Sequence, residues 1–143
     1  MNSIEVGVKI EFFSLIRVWG LQYIFLLALL LNAQECYSEK DARDSFRDAL
    51  SAFNAGRVEF ALSHWATLAA NGHLEAAFHL GSAYYFGDGI PTDYSLALKW
   101  FRKAAESGHS ASQFMLGLMH AEGHGVNKDL EVTVDWFDKA VGK

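Results

Sequence analysis

The chain has 143 residues, of which 51% are hydrophobic and 20% charged, and a net charge of −5. That length suits one domain, and the acidic balance does not point to a basic nucleic-acid-binding face. One cysteine, Cys36, excludes an intramolecular disulfide framework, and one proline beside twelve glycines favours helices over a strand-and-turn architecture.

Residues 18–31 read VWGLQYIFLLALLL, without a charge, downstream of Lys9 and Arg17. An uncharged run of this length behind positive charge has the form of a secretory signal, whereas a bilayer-spanning helix needs about 20 residues. Ala33 and Ser38 are candidate cleavage positions. Leu31 is bulky at −3 of the first, and Glu5 and Glu11 lie in the stretch before the apolar run. Residues 1–33 are therefore expected to be a signal peptide, with cleavage as late as 38, or a signal-anchor holding residues 18–31 in a membrane. Residues 34–40 read as a linker. Cys36 does not fit a lipidation signal, because Glu35 precedes it where a small residue is wanted and Ala33 stands at −3 where an apolar one is.

From residue 41 onward the pattern is helical, with helices expected near 41–55, 58–71, 75–86, 94–107, 111–122 and 130–141. Asn54-Ala55-Gly56-Arg57 makes the first turn. Ala77, Leu80, Gly81 and Tyr84 form one helical stripe, and Ala97, Trp100, Phe101 and Ala104 the next. Gly87-Asp88-Gly89 stops the helix between them, and Asp93 suits the N-cap of its successor. The segment then repeats at a period of 36. Leu80-Gly81 recurs as Leu116-Gly117, Gly87 and Gly89 as Gly123 and Gly125, Asp93 as Asp129, and Trp100-Phe101 as Trp136-Phe137. One period upstream, Ala61, Leu62, Ala69, Gly72 and His73 match Ala97, Leu98, Ala105, Gly108 and His109, with no glycine-rich loop. Glycines at 81 and 117 permit close approach of paired helices, and each large aromatic buries on the order of 150–250 Å². One pair cannot cover its own apolar faces, so pairs must stack.

The run A-x-x-x-L-G-x-x-Y-x-x-G-x-G-[IV]-x-x-D-x-x-x-A-x-x-W-[FY]-x-K-A-A-x-x-G resembles the Sel-1-like repeat, a relative of the tetratricopeptide repeat. The match is carried by Leu80, Gly81, Gly87, Gly89, Asp93, Ala97, Trp100, Leu116, Gly117, Gly123, Gly125, Asp129 and Trp136. The resemblance implies an all-α fold, a short right-handed α-solenoid of about three antiparallel helix pairs. Residues 41–73 are then a divergent tetratricopeptide-like capping pair, 74–110 a first Sel-1-like repeat and 111–143 a second. Ser112, His120, Thr133 and Val141 depart from the pattern and point to a looser last pair.

The resemblance further implies a protein or peptide partner, bound on the concave face lined by the first helix of each pair. The positions beside Leu80-Gly81 are Phe78, Ser82, Tyr85 and Phe86. Their counterparts are Phe46, Leu50, Phe53 and Asn54 in the first pair, and Phe114, Leu118, Ala121 and Glu122 in the last. The last helix also carries Val134, Trp136, Phe137 and Val141, a face expected to dock on a partner or on a second copy. No cofactor and no metal are expected. His120 and His124 are four apart, but Gly123 and Gly125 place His124 in a loop; His73 and His109 share a repeat position that suits a structural role; His64 and His79 have no evident partners. Gly87-Asp88-Gly89 lacks the lysine and the strand of a phosphate loop. The chain is expected to be a non-enzymatic exported adaptor, in the periplasm, the envelope or outside the cell. Cysteine-rich members of the family associated with β-lactams carry paired cysteines in each repeat, and this chain has none after Cys36.

Overall fold

The computed structural model describes residues 24, 26–30 and 38–142. The chain divides into two compact units, Met1–Asp41 and Ala42–Lys143. In the first, residues 24 and 26–30 are helical with exposed side chains. Ala33, Cys36 and most of the uncharged run lie outside the described residues. Among the described residues, no helix is long and apolar enough to cross a membrane.

The second unit is a succession of antiparallel helix pairs: α1 (38–54, residues 42–54 of it in this unit) with α2 (Val58–Ala70), α3 (Leu74–Phe86) with α4 (Tyr94–Glu106), and α5 (Ser110–Glu122) with α6 (Leu130–Ala140). From α2 to α6 each helix touches its neighbours in sequence, within and between pairs, and α1 packs on α2 through Ala49, Ala52 and Phe53 against Trp65. The sequence explains the ends. Asp93 and Asp129 are N-caps: a carboxylate oxygen of Asp93 accepts from Leu96 N at 2.9 Å, and one of Asp129 from Glu131 N and Val132 N at 3.0 and 3.1 Å. These contacts satisfy amides that a helix start leaves without partners. Gly87 and Gly123 end α3 and α5 at φ +72° and +79°, a left-handed conformation that glycine adopts without a Cβ penalty. The two loops then close alike, with Asp93 N donating to Tyr84 O and Asp129 N to His120 O, both at 2.9 Å.

Two apolar clusters hold the pairs together. The first joins Ala49 and Ala52 of α1 to Trp65 and Leu68 of α2, Leu80 of α3 and Ala104 of α4. The second joins Tyr85 of α3 to Ala97 and Phe101 of α4 and to Met115, Leu116 and Met119 of α5. Small residues let the helices approach, and the few large side chains fill the space between them.

Candidate partner-binding face

The residues expected on the first-helix face fall into three groups. On α1, Phe46, Leu50 and Phe53 are half-buried and turn their bulk inward onto the first cluster. The Phe46 ring stacks on His73 at 5.1 Å and leans on His79 at 5.4 Å, and Phe53 lies 5.1 Å from Trp65. On α3, Phe78 is half-buried between Phe101 at 5.8 Å and His109 at 5.3 Å, and Ser82 is half-buried nearby in sequence. Leu118 of α5 is half-buried against the second cluster. The third group stands clear of the core: Phe86 is 61% exposed, Phe114 is 52% exposed, and Glu122 is exposed.

Tyr85 requires a correction. Its expected place in an open groove is not where the chain puts it: it is buried, with its ring edge-on to Tyr94 at 5.4 Å and to Phe101 at 6.3 Å. Its hydroxyl reaches across to the next repeat, donating to Glu122 Oε2 at 2.8 Å and lying 3.1 Å from His124 Nδ1. His124 in turn stacks flat on Tyr94 at 4.3 Å. Burial first, and then the hydrogen bond and charge of Glu122, push the Tyr85 hydroxyl up to about 12. A phenol held protonated in this way is a donor in a clasp between repeats rather than a contact offered to a partner.

The histidines also acquire definite roles. His73 and His109 are N-caps of α3 and α5, with Nδ1 accepting from Ala76 N at 3.2 Å and from Ser112 N at 3.3 Å. His109 Nε2 also lies 3.5 Å from Glu75 Oε1. The reading of His79 and His64 as partnerless is corrected: His79 stacks on Trp65 at 5.2 Å, and His64 on Phe60 at 4.0 Å. Among the described residues, no group of three or more histidine, cysteine or acidic side chains is placed to hold a metal ion.

These pairs define an all-α repeat solenoid. Residues 74–109 and 110–141 match the Sel1 repeat family. The chain is similar to a Sel1 repeat protein from Oxalobacter formigenes, with 29% identity, a TM-score of 0.58, and coverage of 71% of this chain and 88% of that one. It is also similar to c5321, a protective antigen of uropathogenic Escherichia coli strains with an SLR fold, at 29% identity, a TM-score of 0.65 and 76% of this chain; it spans 24% of that protein. The fold is shared with Helicobacter pylori cysteine rich protein B at 18% identity, a TM-score of 0.56 and coverage of 73% and 90%. None of the curated proteins compared with the chain matches it. Residues 74–141 therefore carry two Sel1 repeats, and the chain is similar to Sel-1-like repeat proteins. Such proteins are generally non-catalytic scaffolds for protein–protein interaction.

Proposed function

We propose that this chain is an exported, non-catalytic adaptor that binds a protein or peptide partner on the concave face lined by its first helices. The observation that supports the reading best is the exposure of two phenylalanines, Phe86 and Phe114, on first helices of consecutive repeats. Large aromatics held in the open on a rigid helical frame are the residue type enriched at binding surfaces. The uncharged run at 18–31 behind Lys9 and Arg17 supports export. A retained run would make the same binding unit membrane-anchored.

Phe86→Asp changes this face at an exposed position and leaves both clusters intact. The full chain and this variant would be used to capture and cross-link partners from an envelope extract of the native source. A partner identified by mass spectrometry with the wild type and lost with the folded variant supports the reading; equal capture by both overturns this face as the binding surface. Mass spectrometry of the mature N-terminus separates the two locations, since an intact Met1 in the membrane fraction requires the anchored form.

A further inference from the structure

The period of 36 gives the outer face of α6 a counterpart inside the same molecule. Tyr94, Leu98, Phe101 and Ala105 of α4 become Leu130, Val134 and Phe137 of α6 and Val141, its C-cap, and Phe78 becomes Phe114. In the first repeat these α4 residues lie under a helix: with Phe78 they pack into the cluster that α5 closes with Met115, Leu116 and Met119. In the second repeat the same positions are all apolar, and nothing covers them among the described residues. Leu130 is 64% exposed, Val134 57% and Val141 69%, with Phe114 stacked on Phe137 at 5.2 Å beside them. A stripe at i, i+4, i+7 and i+11 is one continuous face of a helix.

Charge indicates what covers it. The exposed positions beside the α4 stripe are Ser95, Lys99 and Arg102; at the same places α6 carries Glu131, Asp135 and Asp138, all exposed. Two positive charges in one repeat are thus replaced by three negative charges in the next. All three lie on one flank of the stripe, so a second copy set on it with the two α6 helices antiparallel would bring two acidic flanks to one seam, which like-charge repulsion opposes. A second copy set end to end would meet α1, whose positions in register with the covering residues Ser112, Met115, Leu116 and Met119 are Asp44, Arg47, Asp48 and Ser51, too polar for an apolar stripe.

We infer that the α6 face is a second docking site, which meets the first-helix face only at Phe114, and that its occupant is an amphipathic α-helix of a partner protein whose apolar stripe is bordered by lysine or arginine. Such a helix takes the place that α5 takes on α4. One basic border of it meets Glu131 and Asp138, which fix its register and speed its approach.

The test uses two labelled synthetic helical peptides with one apolar stripe, bordered by lysine in the first and by glutamate in the second. Fluorescence anisotropy with the full chain should show binding of the lysine peptide, weakening as salt rises, and a preference over the glutamate peptide of roughly tenfold or more. The double variant Glu131→Lys/Asp138→Lys should reverse that preference, and Val134→Asp should abolish binding of both. These positions are exposed, so circular dichroism should show unchanged folding. Equal binding of the two peptides, or binding of neither, overturns the inference. Sedimentation showing a wild-type dimer that Val134→Asp converts to monomer also overturns it, because the occupant is then a second copy. Phe86→Asp, which disables the first-helix face, should leave peptide binding unchanged; this keeps failure of one surface distinct from failure of the other.

Discussion

Phe101 lies so close to Gly81 that a Cβ on the glycine would fall 2.8 Å from two atoms of its ring. Phe101 is fully buried and has no room to withdraw. Gly81→Ala gains about 1 kcal/mol of helix propensity, but overpacking in a closed core costs about 1–3 kcal/mol, so the variant should be destabilised. The last repeat offers an internal control. A Cβ on Gly117 would come within 2.5 Å of Phe137, a tighter clash. Phe137 is only half-buried and borders solvent, so its ring can swing outward. Gly117→Ala should therefore be close to neutral despite the shorter distance. Urea unfolding of both variants checks this; equal losses would mean that Phe137 is held as firmly as Phe101.

Histidine caps give a second prediction. His73 satisfies the Ala76 amide through Nδ1, as Asp93 satisfies that of Leu96. His73→Ala and Asp93→Ala should each cost about 1 kcal/mol, whereas His73→Asn, which restores a short acceptor, should cost much less. Thermal unfolding separates the cases. If His73→Asn falls with His73→Ala, the ring matters for its stacking on Phe46 rather than for its bond to the backbone.

These two comparisons also indicate what a sequence carries. The close approach at Gly81 was legible because a glycine inside a helix, repeated 36 residues on, is explained by it; that Phe101 is the side chain approaching was not. From α2 onward the helix ends were legible to about one residue, because residues such as Gly87 and Asp93 act locally, whereas α1 begins at 38 rather than 41. The histidine caps were less so, since histidine is an uncommon cap. The signal was present in their recurrence immediately before α3 and α5. Tyr85 was misplaced because a helical stripe tells which residues share a face but not how far the next repeat reaches over it. His124 comes from a loop of the following repeat, and no helical periodicity connects it to Tyr85. Leu130 was overlooked for a related reason: its face shows only when α6 is laid over α4.

The Tyr85 clasp makes stability depend on pH at the alkaline end. Its folded-state value, about 12, lies above the ordinary 10.0, so the folded state holds the phenolic proton more tightly than the unfolded state. The resulting stability is fully present below pH 10.0 and is lost as pH rises through about 12. Tyr85→Phe removes the hydroxyl and with it this dependence. It also leaves Glu122 and His124 without their shared partner, so it should be less stable than wild type at neutral pH, by about 1–2 kcal/mol. Chemical denaturation across the alkaline range should show the two curves converging. A gap that stays constant would mean that the hydroxyl is as accessible to solvent as in the unfolded chain.

His79 gives the opposite dependence at the acidic end. Its imidazole is stacked on Trp65 and lies against Phe46 and Phe78, at centroid distances of 5.2, 5.4 and 5.7 Å. Burial among these rings lowers its pKa from 6.5; Glu75 pulls it back up and His109 lowers it further. The folded state therefore favours the neutral ring, and in acid the unfolded state binds the proton more readily. The contribution is fully present above pH 6.5 and is lost as pH falls through the lowered folded-state value. His79→Phe keeps a flat aromatic ring in the stack and removes the titration. The variant should lose less stability than wild type between neutral and mildly acidic pH, read as the difference between their urea midpoints at each pH. Carboxylates common to both proteins cancel in that difference. A difference independent of pH would mean that the aromatic stack accommodates the charged imidazole as well as the neutral one, by a cation–π contact with Trp65 that offsets the burial.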